Sequence, residues 1–278
     1  MDLNQKVNQS VKLLKTVAKT TDEPMELSYS GGKDSDVILR LAQMAGINFR
    51  AIYKNTTIDP PGTIKHCREN GVEIIQPKKT FFQIIQENGL PTRWARFCCA
   101  YLKEYVILNK NIMGIRRSES IKRTKRYKEP EVCRNLNGKH QISYLPILEW
   151  NNEDVRQFIE MNNIKCHPLY YDKHGRFNVE MRLGCIGCVL ASQKKRREQF
   201  IKYPKMLKHW IFNFQIYLDS HKDTKQYVYS HGSAYNYMFR DLFCDSLAQC
   251  DDLLTGCLFP ETKIDSKSFL ENYFKIDL

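Results

Sequence analysis

The chain has 278 residues, 43 Lys and Arg against 31 Asp and Glu, and 42% apolar residues. That is enough apolar material for one globular domain of ordinary size with appended segments, and it excludes disordered and collagen-like classes. No window approaches about eighteen consecutive uncharged apolar residues, and the opening MDLNQKVNQSVKLLK lacks a signal-peptide core, so the expectation is a soluble, cytoplasmic protein with no membrane partner. Ten cysteines in so long a chain without an export signal are expected to be reduced thiols rather than a disulfide framework.

The net charge of +12 is uneven: Arg116 to Lys128 holds seven basic residues and one acid, Lys194 to Lys208 repeats that count, and Asp241 to Asp265 carries six acids opposed only by Lys263. The central basic surplus is either a solvated helix face or an anion site, for a nucleotide, a nucleic-acid backbone or an acidic protein partner.

In chain order, Val7, Val11, Leu14 and Val17 recur at helical spacing and predict a helix over residues 5 to 20. The pattern then shortens. Met25 to Tyr29 reads as a buried strand, SGGKDS as a turn, and Asp34 to Ala45 as a helix with Val37, Leu41 and Met44 on one face. Phe49 to Tyr53 (strand), Thr63 to Asn70 (helix), Val72 to Gln76 (strand) and Phe81 to Glu87 (helix) continue the alternation. Strands and helices alternating at this interval predict an α/β fold, a parallel sheet covered by helices on both sides. Ligands of such sheets sit at the carboxyl ends of the strands.

Ser30-Gly31-Gly32-Lys33-Asp34-Ser35 falls at such an end, directly after a strand and opening a helix. Paired glycines let consecutive N–H groups turn inward, Ser30 and Ser35 add hydroxyls, and the helix start adds partial positive charge, which together make a phosphate cradle. A Gly-Gly turn is also often a plain tight bend. The string departs from the P-loop of kinases and GTPases, because no Gly-Lys-Ser/Thr closes it.

SYSGGKDS resembles the PP-loop, SGGxDS, of the adenine nucleotide alpha-hydrolase superfamily, which includes ATP pyrophosphatases, ATP sulfurylase subunits and phosphoadenosine phosphosulfate (PAPS) reductases. Further strings narrow the resemblance to the PAPS reductase family: NTTIDPPGT at Asn55 to Thr63, RFCCAYLK at Arg96 to Lys103, GIRRSES at Gly114 to Ser120 followed by Arg123, PILEWNNEDV at Pro146 to Val155 with HPLY at His167 to Tyr170, which resemble the family's closing strand and helix, and RLGCIGC at Arg182 to Cys188. They stand in family order from about residue 25 to 200. The resemblance implies a Rossmann-like nucleotide domain over 25–200, preceded by an N-terminal helix at 1–24 and followed by a helical region at 201–278. It also implies a nucleotide, ATP or PAPS, bordered by Thr56 and Gly114 as well as the loop. Arg116 and Arg117 suit a clamp on phosphate or sulfate oxygens, since guanidinium presents fork-shaped donors, although an exposed basic loop would carry the same residues. Asp34 is either a helix cap or, as in ATP-hydrolysing relatives, a group that helps hold magnesium. His167, before Pro168, is read as a turn residue and left out of the site.

Cys98, Cys99, Cys185 and Cys188 form a CC pair and a C-x-x-C, with Gly184 and Gly187 flanking the second pair's turn. Four thiolates suit tetrahedral zinc or an iron–sulfur cluster, and chemistry alone does not choose. Iron–sulfur members of the resembled family use this arrangement for a 4Fe–4S cluster, which is the expected cofactor here, with zinc as the alternative. Cys67, Cys133 and Cys166 are assigned to packing.

The reductases attack sulfate with a cysteine in a Glu-Cys-Gly-Leu-His tail, a string that does not occur here; Cys244, Cys250 and Cys257 lie among acids, which oppose thiolate formation. The resemblance therefore implies an ATP pyrophosphatase or sulfur-transfer enzyme like the DNA phosphorothioation proteins. The alternatives are a sulfonucleotide reductase, which would release sulfite with thioredoxin, and a non-catalytic nucleotide-sensing regulator.

Overall fold

Short apolar runs alternating with amphipathic stretches give, in chain order, α1 (Leu3–Ala18), β1 (Met25–Tyr29), α2 (Lys33–Ala45), β2 (Phe49–Lys54), α3 (Thr63–Glu69), β3 (Glu73–Ile75), α4 (Phe81–Asn88), α5 (Phe97–Leu102), β4 (Lys110–Ile112), α6 (Ile121–Arg126), β5 (Glu131–Leu136), β6 (Lys139–Tyr144) and α7 (Asn152–Met161). The C-terminal region is helical: α8 (Gln193–Lys202), α9 (Pro204–Ser220), α10 (Lys225–Ser230), α11 (Ala234–Phe243), α12 (Leu247–Thr255) and α13 (Ser266–Phe274). This computed structural model describes residues 1–136, 138–245, 247–256 and 263–278. Two compact units emerge, one of Met1–Asn55, Asp59–Pro77 and Ala100–Gly184, the other of Thr56–Ile58, Lys78–Cys99 and Cys185–Leu278.

The first unit holds a six-stranded sheet in the order β3-β2-β1-β4-β6-β5. Its neighbours run parallel except β5 and β6, which pair antiparallel. Alternation along β1 sends Met25, Leu27 and Tyr29 into a core with Leu14 and Val17 of α1, Val37, Ile38 and Leu41 of α2, and Val155 and Phe158 of α7. The opposite face of the same strands is polar. Glu26, wholly buried, pairs with Lys54 at 2.9 Å and accepts from the Leu108 amide at 3.2 Å and Gln141 at 3.3 Å. Ser28 donates to Asn111 at 2.9 Å, and Asn111 to Gln141 at 3.3 Å. A buried carboxylate with this many partners is tolerated, where an unpaired one would not be.

Two expectations need revision. Residues 131–136 and 139–144 pair antiparallel, and the second of these strands, β6, lies next to β4, so the sheet carries an antiparallel edge rather than being wholly parallel. The segment Pro146 to Trp150, taken as a closing strand, is instead a turn closed by Leu148 N–H to Leu145 O and Trp150 N–H to Ile147 O, with Ile147, Leu148 and Trp150 buried by it. Pro146 cannot donate to a ladder, which disfavours a central strand there.

In the second unit α4 packs on α9 through Phe81 and Trp210, ring centroids 4.9 Å apart, and Phe200 meets the same indole edge-on. Gln226 reaches back to clasp Leu90 through both its amide atoms, at 2.9 and 2.6 Å. Phe239, Phe243 and Phe269 form a further cluster beside Cys244 and Cys250, which are bonded to each other with Cα atoms 5.9 Å apart. These two tail cysteines are thus a disulfide and not free thiols. Asp251, expected to oppose ionisation at Cys250, is itself paired with Arg240. Cys257 lies outside the described residues. Among those described, no helix is long and apolar enough to cross a membrane.

Candidate nucleotide site and cysteine cluster

Tyr29 ends β1, and Ser30 to Ser35 carry the chain into α2. Gly31 has φ +76°, and a Cβ there would stand 3.0 Å from Thr63 Cγ2 and 3.2 Å from Leu183 Cδ2. Both conformation and space therefore require glycine. Gly32 occupies the N-cap of α2 with no side-chain cap; the Ser35 amide donates back to Gly32 O at 2.9 Å and the Lys33 amide meets the Tyr170 hydroxyl, and the partial positive charge of the helix start faces the loop. Ser35 is buried and donates to Gly32 O at 2.6 Å, which braces the turn, while Ser30 Oγ lies 3.4 Å from Ser35 Oγ.

Around this turn the structure gathers cations. Lys33 is buried, with Nζ 3.3 Å from Asp34 and 3.4 Å from Met181 O, and over the Tyr170 ring. Burial pulls its pKa down, Asp34 opposes that, and Arg116 and Arg182 add to it. Arg116, 1% exposed, directs Nε to Asp34 at 2.7 Å and Nη1 to Ser118 at 3.2 Å. Arg123 is also held below the usual guanidinium range, first by burial and then by Arg182. Like charges depress one another in this way only where they share a small volume. Four cations, Lys33, Arg116, Arg123 and Arg182, therefore surround a loop whose local acids are Asp34 and Glu119, the latter paired with Arg123.

Gly114 is what allows α2 and the strand β4 segment to approach: a Cβ at that position would lie 2.9 Å from Asp34 O and 3.1 Å from its carbonyl carbon. A cavity of about 480 Å³ runs from the loop over the polar sheet face, lined among others by Ser30, Lys33, Asp34, Asn111, Arg123 and Arg182. Gly114 also lines the cavity at the loop, so close packing on α2 and a place beside the candidate nucleotide site fall on the same residue.

Not every expected residue joins this group. Arg117 turns away, its guanidinium bound to Tyr127 O at 2.8 Å, to Lys128 O and to Glu149. Thr56 belongs to the second unit, where it is buried and accepts from the Cys185 thiol at 3.6 Å. Arg182 and Arg134, which lines the cavity from β5, were not legible as site residues. Arg182 stood inside RLGCIGC, where the cysteines drew attention, and Arg134 lay on an unexpected strand. A buried cluster beneath the loop was also missed: Asp36 accepts from Tyr29 and faces His66 Nε2 at 2.9 Å. Burial pushes the Asp36 carboxyl up, and hydrogen bonds from His66, Tyr29 and Cys166 hold it back. His167 caps the turn at Pro168–Tyr170 by accepting from Leu169 N–H at 3.1 Å, the turn role expected of it.

The four motif cysteines all fall in the second unit. Gly187, φ +76°, is fixed by its surroundings, since a Cβ would come within 2.6 Å of Phe200 and 3.0 Å of Trp210. Gly184 has open space and no such constraint. Ile186 N–H donates to Ile58 O at 2.8 Å and Gly187 N–H to Gln199 at 3.0 Å, so the Cys185–Cys188 turn is tied down on both sides. The Cys98 thiol is pushed up by its hydrogen bond with Cys99, then by burial, then by the nearness of Cys99, Cys185 and Cys188. The four sulfurs share a neighbourhood, yet among the described residues no three His, Cys, Asp or Glu side chains converge as for one metal ion. The donor set, four soft sulfurs in one neighbourhood, fits a thiophilic metal group. Of the cysteines assigned to packing, Cys67 and Cys166 are buried and Cys133 is exposed.

The phosphoadenosine phosphosulfate reductase domain matches residues 24–194, more than half of the chain, and the chain belongs to that family. An uncharacterized protein of Methanocaldococcus jannaschii is 29% identical over 222 residues, covering 75% of this chain and 52% of that protein. A second from the same organism is 25% identical, covering 76% and 46%. The chain thus spans about half the length of these curated relatives. Subunit 2 of a sulfate adenylyltransferase from Salmonella arizonae is 26% identical over 211 residues, 60% of this chain and 67% of its own. Among solved structures, the PAPS reductase of Candida auris in a phosphate complex is similar at TM-score 0.45 and 16% identity, covering 58% of this chain and 83% of that one. The U34-tRNA thiolase NcsA of Methanococcus maripaludis with its 4Fe–4S cluster is similar at TM-score 0.44 and 15% identity, covering 80% and 82%.

Proposed function

We propose that this protein binds ATP with its phosphates on Ser30 to Ser35 and activates an acceptor for sulfur transfer, in the manner of an ATP pyrophosphatase, with Cys98, Cys99, Cys185 and Cys188 holding a 4Fe–4S cluster. The observation that carries the nucleotide reading is the crowding of Lys33, Arg116, Arg123 and Arg182 around the loop. Burial first, and then the neighbouring arginines, lower Lys33 and Arg123, and a polyphosphate beside them would offset that cost. PAPS has phosphate and sulfate groups of the same kind, so the reductase reading rests on the same residues; the Cys244–Cys250 disulfide, which occupies two tail thiols, favours the ATP reading.

In the adenylation step an acceptor oxygen attacks the α-phosphorus of ATP, a bond forms there, and the bond to the bridging oxygen breaks, so that pyrophosphate leaves with the electron pair. Loop amides and Lys33 would hold the phosphates in line, and Arg123 and Arg182 would neutralise charge on the departing pyrophosphate. Arg116 fixes one oxygen of Asp34 at 2.7 Å, and the other, 3.3 Å from Lys33 Nζ, would pass to magnesium as Lys33 turns to the phosphates. Four cysteine sulfurs match the donor set of a multi-iron cluster, with a single zinc as the alternative that metal analysis separates. When bound, the cluster would supply a site for a sulfur atom or an electron.

Anaerobic purification with metal analysis and assays for pyrophosphate release from ATP and sulfite release from PAPS test this reading. About four irons per chain, loss of iron in Cys98→Ser and Cys188→Ser, and pyrophosphate release are expected. One zinc with no iron, or thioredoxin-dependent sulfite release lost on removal of Cys244, Cys250 and Cys257, would overturn the respective half.

A further inference from the structure

Trp94 is 98% exposed, whereas the other two tryptophans, Trp150 and Trp210, are 2% and 1% exposed. Its side chain contributes nothing to the core, and an indole wholly in water is disfavoured unless something covers it. Arg93, Ala95 and Arg96 beside it are exposed as well. The loop is nonetheless held: Thr92 N–H donates to Ala95 O at 3.1 Å, Ala95 N–H to Thr92 Oγ1 at 3.0 Å, and Arg93 Nη2 to Ala191 O at 3.1 Å. That last bond pins the loop next to Ser192, the N-cap of α8, whose first turn carries the exposed Lys194. Cys98 lies four residues after Trp94, at the start of α5, and Cys188 precedes Ala191 in the same unit.

We infer that the Trp94 loop is a stacking platform for unpaired nucleotides of a single-stranded nucleic acid, with Arg93, Arg96 and Lys194 on its phosphates. An exposed aromatic between guanidinium groups is the combination that binds single strands, because every base has a face to stack and every linkage a charge to neutralise. A protein-binding tryptophan would sit among apolar neighbours in a patch that excludes water; here the exposed chain neighbours are Arg93, Ala95 and Arg96, two of them cations. The inference deepens the sulfur-transfer reading by naming the acceptor class, and it rests on that reading for its purpose. The binding itself is measured without nucleotide, so its failure is separate from failure of ATP turnover.

The experiment is a titration of the full chain with a 12-nucleotide single strand, read by tryptophan fluorescence and by anisotropy of a labelled strand. Because Trp150 and Trp210 are buried, quenching reports Trp94. We expect quenching that saturates with the anisotropy change, a roughly tenfold to hundredfold loss of affinity in Trp94→Ala, and near-normal affinity in Trp94→Phe. Arg96→Ala should flatten the salt dependence by about one unit of slope. Thermal melting of Trp94→Ala should match the wild type, since the side chain packs on nothing. Unchanged affinity in Trp94→Ala, or equal binding of an abasic strand, would overturn the inference, as would capture of a protein partner that Trp94 serves while no strand binds.

Discussion

Gly114→Ala isolates the close approach that builds the phosphate loop. The added methyl would meet Asp34 O at 2.9 Å and its carbonyl carbon at 3.1 Å, about 0.5 Å inside a comfortable carbon contact. Both obstructing atoms are backbone in the first turn of α2, so no side chain can swing aside; either α2 or the Met113–Ile115 segment must move. Overpacking of this kind costs about 1–3 kcal/mol, and if even half falls on the loop, ATP affinity drops by about twofold to twelvefold. Gly184→Ala is the matched control: the same chemical change, no left-handed φ and nothing within 4 Å, for which stability should hold or rise by a few tenths of a kcal/mol through the unfolded chain. Urea unfolding followed by circular dichroism, with ATP titrations on both variants, gives the comparison. Two variants of equal stability and equal affinity would refute the reasoning.

Arg182→Ala and Arg123→Ala should each lower ATP affinity about tenfold without unfolding the protein, whereas Arg117→Ala, at a residue turned towards Glu149 and two carbonyls, should leave affinity unchanged; calorimetric titration separates these outcomes. Asp36→Asn should change the pH dependence of stability. Burial raises the Asp36 carboxyl above its ordinary 3.8, so the stability tied to its protonated form is full below that value and is lost as pH rises through the folded-state pKa. The wild type should accordingly lose stability relative to Asp36→Asn as pH rises above about 4, in melts at fixed ionic strength; a pH-independent difference would show that Tyr29, His66 and Cys166 hold Asp36 charged.

From β1 through α4 the elements were legible to within a residue or two, because buried strands and one-sided helices leave opposite periodicities in sequence. The three-residue β4 was too short to show any period. The β5–β6 pair was legible in principle, since alternation runs through EVCRNL and HQISY around Asn137-Gly138, but the basic run before it and the family strings after it drew the strand to Pro146. At the site, the loop announced itself, whereas the arginines did not. Arg116 and Arg117 are adjacent and chemically alike, and only the fold sends one into Asp34 and the other out to Glu149. No local signal separates such a pair. Arg182 and Lys33 meet only through tertiary structure, and a disulfide between Cys244 and Cys250 depends on where α11 ends and α12 begins.

The central claim, an adenine nucleotide held by the loop at Ser30 to Ser35, is tested most directly by calorimetric titration of ATP and PAPS into the wild type and Gly32→Val. A Cβ at Gly32 would already lie 3.2 Å from the Tyr170 hydroxyl and 3.4 Å from Ser30 Oγ, and the branched methyls would fill the space where phosphate oxygens meet the first amides of α2. The wild type should bind one nucleotide per chain, and Gly32→Val, folded by circular dichroism, should bind neither. Full affinity in folded Gly32→Val would contradict the account.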